Sequence, residues 1–600
     1  MDRKGIIIVV LCVAALVWWQ LDNTKRTAAA RAEKERAEEL AKQEAAKVPV
    51  VPVTPEAPAV PGAPVQAEAP VAEKLEKVAT PAVDYTLTNL GGGIRRAVLR
   101  EHLAEHGAKV EMNQFAQHAI GELTEAPGKE APQAFTKEEG NAESDVTFVR
   151  TDARQVQIRK TFKLPRAGAG ANEYVTQLEV SFKNVGPNPI SLPAYYVYTG
   201  SAAPIHQIDQ AQYIGYAWMP GGKFTMKNVG TFSKGGFLWT AKEIIPIFQE
   251  EHPDTNWAGV TNQYFSSIVV PLETKGIAGW AHRFEIDKSL IGTSGEAPAT
   301  PVAAAAPNVP VPKVEALDGA LGMPGLTLAP GAEQVVKFQL YTGPRQYKRL
   351  KALGHREDEI MEFGMFHYVS KALLWSMNQL HDRLGSYAIA IIVLTIIIRG
   401  LMWPLQNKAT RSMKRMQALT PMMNDLKAKY KDDPARMNQE LMKLYKEYQI
   451  NPLAGCLPMV VQIPVFFGFF NMLGKAVELR GAGAPFLPWV HDLSQMDTVW
   501  TIPIIHEPLN ILPLFMAVTM FWQMSLSPKS GDAVQQRVFM FMPLIFIFFC
   551  YKYASALALY WTVQNIFSIV QLYLTRNQTA PVLQKVPASS KKLAASFKKR

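Results

Sequence analysis

Arg399 stands in an otherwise apolar run, Leu394-Thr395-Ile396-Ile397-Ile398-Arg399-Gly400-Leu401-Met402-Trp403-Pro404. A guanidinium keeps its charge in a protein. Placed at bilayer depth it costs about 3 kcal/mol on insertion scales, so it faces a protein interior or a wet cavity unless its head snorkels to the interface. At ~1.5 Å rise per residue, Arg399 lies roughly 10 Å inside the polar boundary at Gln406. Thr395, one turn earlier, shares its helix face. A second polar set lies near the C-terminus: Gln564, Ser568 and Gln571 at i, i+4 and i+7, with Trp561 and Asn565 beside them. Gln462 and Gln523 add amides in two further apolar stretches. Singly, each such residue is accounted for by hydrogen bonding between membrane helices. As a stripe, together with Thr395 and Arg399, they predict a shared hydrophilic cavity. The chemistry on offer is charge attraction and hydrogen bonding. No nucleotide-binding motif appears. Cys12, Cys456 and Cys550 are far apart, and His206, His252 and His282 lack ligand spacing, so no disulfide framework, metal or cofactor is expected.

The elements that hold these residues are read from hydropathy. The chain has 600 residues, 48% of them hydrophobic, with a formal net charge of +11. Apolar residues concentrate at the N-terminus and after residue 385. Six spans are predicted: 5–21, 385–405, 453–473, 509–526, 538–551 and 556–574. The first resembles a signal peptide in its basic start, but it ends Trp18-Trp19-Gln20-Leu21 rather than in small residues. An uncleaved anchor over 1–23 is therefore expected. Residues 406–451 carry ten Lys/Arg against five Asp/Glu, and the tail over 576–600 is basic without an acid. By the positive-inside rule both termini and the basic loop are cytoplasmic, and the region between the first two spans is exported.

That exported region opens with a charged, then Pro/Ala-rich linker over 24–81. From 82 to 345, short alternating strands separated by Gly, Pro and Asn turns predict an all-β sandwich. A Pro/Ala stretch at 296–312 interrupts it. Trp218, Trp239 and Trp257 are assigned to core packing. Over 346–384, a connecting segment leads to an amphipathic helix bearing Phe366, Val369, Leu373, Met377 and Leu380, expected in the outer interface. In the cytoplasmic segment 406–450, two apolar series broken at Pro434 predict a helical hairpin. Met416, Met423 and Met437, with Lys427 and Lys431, mark it as a recruitment surface. The alternative for the methionines is the seam of the hairpin itself.

Several motifs then resemble one family. They are Thr395-Ile396-Ile397-Ile398-Arg399-Gly400, Asn451-Pro452-Leu453-Ala454-Gly455-Cys456-Leu457-Pro458, Gln462-Ile463-Pro464, Val477-Glu478-Leu479-Arg480, Trp489-Val490-His491-Asp492-Leu493-Ser494, Phe541-Met542-Pro543 and Leu559-Tyr560-Trp561. In this order, over about 360–575, they resemble the YidC/Oxa/Alb membrane protein insertases, and the large exported domain resembles the Gram-negative YidC branch. The resemblance implies a polytopic α-helical membrane protein of six spans, a five-helix insertase core over 385–575, and a periplasmic all-β supersandwich. It implies a groove open to cytoplasm and lipid, formed by Arg399, Thr395, Gln462, Trp561, Gln564, Asn565 and Ser568. Pro464, Phe466, Phe467, Met542 and Phe546 would form the slide by which helices leave for lipid. Implied partners are nascent membrane proteins, the Sec translocon and its accessory subunits, the ribosome and signal recognition particle pathway, and anionic lipids. The core is expected to act as a monomer, in the bacterial inner membrane, without catalysing a reaction.

Two other classes compete. A secondary transporter would bind an anionic solute at Arg399, but it would show internal repeats and a midplane site, and it would leave the basic hairpin and tail unexplained. An anchored carbohydrate-binding module needs fewer than six spans.

Overall fold

The computed structural model describes residues 71–138, 145–166, 173–235, 242–292, 312–431, 433–448, 450, 457–502, 507–527 and 533–575. The first predicted span, most of the linker, Trp239, most of the Pro/Ala insert, the motif residues 451–456 and the basic tail lie outside them.

Alternating sequences build the β domain. Val175–Asn184 pairs antiparallel with Val156–Lys163 on one side and with Glu333–Pro344 on the other. The register sets Phe182 opposite Ile158, and Val180 opposite Val336. These strands belong to a 13-stranded sheet. A four-stranded sheet of Leu75–Ala79, Val83–Thr88, Gly93–Leu103 and Lys109–Met112 completes the sandwich. The linker expected to reach residue 81 thus gives way at Leu75, because Leu75–Ala79 pairs with Val83–Thr88. Polar bonds join the layers where side chains enter the core: Tyr85 Oη lies 3.4 Å from Thr342 Oγ1, and the buried Lys160 Nζ donates to Gly91 O at 2.7 Å. Burial pushes the Lys160 pKa down to about 7. Trp218 and Trp257 are fully buried, as core packing requires.

The helices follow. We number α1 Tyr347–Leu353, α2 His367–Leu384, α3 Tyr387–Ala418, α4 Thr420–Lys429, α5 Pro434–Glu447, α6 Leu457–Lys475, α7 Ile511–Leu526, α8 Ala533–Cys550 and α9 Ser555–Thr575. Among the described residues, α3 and α9 are long and apolar enough to cross a membrane, and α7 is a shorter apolar helix. α2 buries Leu373, Leu374 and Met377, and Ser370 Oγ donates to Gly468 O on α6 at 3.2 Å. Its opposite face leaves Tyr368 and Trp375 exposed. Gly385 ends it in the left-handed conformation at φ 70°, its N–H closing on His381 O at 2.8 Å. α3 continues past the span expected to stop at 405, because the polar residues from Gln406 onward carry the same helix to Ala418. α9 packs against α7, α3 and α6, which makes it the centre of the bundle. Outside it, α4 and α5 enclose a small core of Leu419, Met423, Leu441 and Ile450. Asp433 caps α5 by accepting from the Arg436 N–H at 3.0 Å, with Pro434 at its first turn.

Candidate functional site

Arg399 is partly buried on α3, and among the described residues it makes no ion pair or hydrogen bond; the titratable group it senses is the Tyr560 hydroxyl. Directly after it, a Cβ on Gly400 would meet nothing within 4 Å. Pro404, inside α3, has no N–H to give the Gly400 carbonyl, so a backbone acceptor is freed one residue from the charge. Thr395 is 1% exposed and its hydroxyl donates to Ile391 O at 2.7 Å. It is therefore satisfied by its own helix and offers little to a cavity.

On α9, the polar stripe divides by direction. Gln462 Nε2 on α6 donates to Gln564 Oε1 at 3.2 Å and reaches Tyr560 Oη at 3.5 Å. Gln462 Oε1 is buried without a partner among the described residues. Asn565 turns the other way, donating to Met516 O at 3.2 Å and Thr519 Oγ1 at 3.1 Å on α7. The Ser568 hydroxyl returns to Gln564 O at 3.0 Å. Gln571 Nε2 donates to Asn407 Oδ1 on α3 at 3.3 Å, and Lys414 Nζ caps Thr575 O at 2.8 Å. Arg399, Tyr560, Gln462 and Gln564 thus form one neighbourhood, whereas Asn565, Ser568 and Thr395 serve helix contacts. Sequence reasoning did not place Tyr560, Asn407 or Lys414 in the site, although Tyr560 stands in the Leu559-Tyr560-Trp561 motif. Tyr560 had a signal, since it lies one turn before Gln564.

Trp561 sits next to the polar group, with its ring centroid 4.9 Å from Phe466 and 4.6 Å from Phe546, both edge-on. Two of the proposed slide residues therefore meet on a proposed groove residue. Phe467 points elsewhere, exposed and stacked with Phe366 at 6.1 Å. Pro464 and Met542 are partly buried on α6 and α8. In the α4–α5 hairpin, Met423 lies in the core and Met416 and Met437 pack against it. The exposed methionines there are Met422 and Met442. Lys431 is exposed and Lys427 partly so. Among the described residues no cluster of His, Cys, Asp and Glu is fit to hold a metal.

Residues 76–376 match the family described as YidC periplasmic domain, and 379–582 match that described as 60Kd inner membrane protein. The chain is 30% identical over 602 residues to the membrane protein insertase YidC of Syntrophus aciditrophicus (strain SB), spanning 96% of this chain and 100% of that protein. It is 30% identical over 506 residues to that of Geobacter sulfurreducens, spanning 82% and 84%. A crystal structure titled "Active YidC insertase crystal structure with the first transmembrane domain resolved" aligns over 85% of this chain and 94% of its own, at 18% identity and a TM-score of 0.33. With one family covering its exported half, a second its helical core, and a relative matched from end to end, the chain belongs to the YidC family of membrane protein insertases.

Proposed function

We propose that this chain inserts nascent membrane proteins into the inner membrane through a wet groove between α3, α6 and α9. The observation that carries this reading is Arg399, a charge without an acidic partner among the described residues, set beside Tyr560 and the Gln462–Gln564 pair and next to the uncovered Gly400. A charge and a buried amide oxygen left in this state are stable only if water or a passing polypeptide answers them. The polar exported segment of a substrate enters there, so its backbone and acidic groups cross part of the membrane without full dehydration. Its apolar helix then leaves past Phe466, Trp561 and Phe546, whose ring faces suit an apolar side chain better than water. No bond is made or broken, and the energy comes from partitioning of apolar helices into lipid.

The same reading keeps six spans, with cytoplasmic termini and an exported β domain. The basic hairpin and tail contact the ribosome, the signal recognition particle pathway and anionic lipid, and the core works as a monomer, alone or beside the Sec translocon. Photo-crosslinkers at positions 399, 464 and 561 test it. Crosslinks from 399 to the polar segment of a stalled substrate, and from 464 and 561 to its apolar helix, are the expected result. Labelling of lipid alone at all three positions overturns the groove.

A further inference from the structure

The loop between α6 and α7 forms a two-stranded antiparallel hairpin, Thr498–Ile502 with Glu507–Asn510. Such an isolated pair is marginal in water, yet this one is tied down at its base. Tyr551 Oη, at the end of α8, donates to Pro508 O at 2.7 Å and accepts from the Asn510 N–H at 3.2 Å. Asn510 Nδ2 donates to Tyr551 O at 2.8 Å, and Lys552 pairs with Glu507 at 2.9 Å. Leu512 N donates to the buried Asp497 at 2.6 Å, which fixes the entry to α7. A hairpin held this firmly nonetheless leaves Val499 and Trp500 uncovered, at 48% and 57% exposure. Its second strand runs without a break into α7, where Leu514, Phe515 and Val518 are also uncovered by protein.

We infer that the paired strands Thr498–Ile502 and Glu507–Asn510 lie in the outer headgroup layer of the membrane, with Val499 and Trp500 against lipid. This rests on reading α7, α8 and α9 as spans. The chemistry matches that layer: tryptophan and tyrosine prefer the boundary between headgroups and chains, and a lysine beside them reaches its head toward phosphate. Trp500, Tyr551 and Lys552 supply this set from two loops bonded to each other. Val499 falls at the register shift between Thr498 and Trp500, and the partner strand continues in sequence into α7 with its exposed Leu514, Phe515 and Val518, so the occupant most consistent with these side chains is lipid rather than a second protein. The hairpin then fixes the depth of the outer ends of α7, α8 and α9 around the groove.

The test uses the full chain with Cys12→Ser, Cys456→Ser and Cys550→Ala, reconstituted in phosphatidylcholine–phosphatidylglycerol vesicles. Single cysteines at Val499, Trp500, Phe515 and Val335 carry an environment-sensitive nitrobenzoxadiazole dye. Phe515 on α7 serves as the lipid reference and Val335, exposed on the β domain, as the water reference. The expected result is blue-shifted emission at 499 and 500, quenched by lipids labelled near the headgroup and protected from iodide. Quenching by iodide at 499 and 500 with Phe515 still in lipid overturns the hairpin proposal alone. Protection from both quenchers also overturns it, because protein then covers the site. Iodide quenching at Phe515 overturns the span reading beneath it.

Discussion

At the residue scale, the proposed groove rests on Arg399 and its neighbour Tyr560. A charge-assisted hydrogen bond is worth about 1.5–3 kcal/mol. If Arg399 attracts acidic segments directly, Arg399→Ala lowers insertion of substrates with acidic exported segments by on the order of ten- to a hundredfold, and neutral ones far less. Arg399→Lys keeps the charge and restores much of the loss. Equal loss for acidic and neutral substrates, measured by protease protection of the exported segment, assigns the charge to hydration instead. A second residue, His102 on the strand Gly93–Leu103, carries a pH dependence. His102 packs edge-on against Phe265 at 5.1 Å. Burial, and then Arg480, Arg349 and Lys109, hold its pKa down to about 4. In the unfolded chain it takes a proton near the usual ~6.5, so below that pH the unfolded state binds more protons and stability falls as pH drops toward 4. The full loss is about 3 kcal/mol. Hydrogen exchange of Gly93–Leu103 should therefore speed up between pH 7 and pH 4, beyond the intrinsic rate change. His102→Phe should flatten that response, and an unchanged slope would remove His102 as its source.

At the scale of elements, α2 and α6 approach each other closely at Gly468. A Cβ on Gly468 would lie 2.8 Å from Val369 Cγ1 and 3.1 Å from Leu373 Cδ1. Gly468→Ala should force the helices apart at a cost of about 1–3 kcal/mol, breaking the Ser370 bond to the Gly468 carbonyl. Faster trypsin cleavage at Lys371 is the expected readout, and unchanged cleavage would show that α2 yields without strain. The existence of these helices was legible, because apolar runs and helical spacing are local properties. Their partners were not. Gln564 and Asn565 are neighbours in sequence, yet one faces α6 and the other α7, which only the packing of three helices decides. Thr395 and Ser568 read as polar lining, but each hydroxyl bonds the carbonyl four residues earlier on its own helix. The hairpin methionines followed helical spacing, and that spacing cannot distinguish a seam from a docking face. Strand Leu75–Ala79 was hidden by its Lys- and Glu-rich edge, whose pairing comes from the neighbouring strand.

For the whole molecule, the question is how the β domain is held on the helical core. Domains joined by a small polar interface move relative to each other by default. Here the loop after α6 joins the two parts. Arg480 donates to Leu103 O and lies over the Tyr264 and Phe265 rings at 4.9 and 5.4 Å. Gln263 Nε2 donates to Gly474 O at 2.7 Å, and Tyr264 Oη donates to Ser494 O at 3.2 Å. Behind them the fully buried Arg345 donates to Asn262 O at 2.7 Å and to Ile360 O, tying the sheet to the connecting segment. Val477 and Leu479 are buried in a core shared by both parts, so the polar bonds orient a junction that apolar contact already closes. Arg480→Ala with Gln263→Ala should remove about 2–4 kcal/mol of local stability without releasing the domain. Amides of Phe265–Pro271 and of residues 477–480 should exchange faster, while those of Val175–Asn184, in the interior of the sheet, keep their protection. Equal loss of protection in all three segments would mean that domain and core unfold as one unit. Arg480 would then support the fold at large rather than the posture of the β domain on the helices.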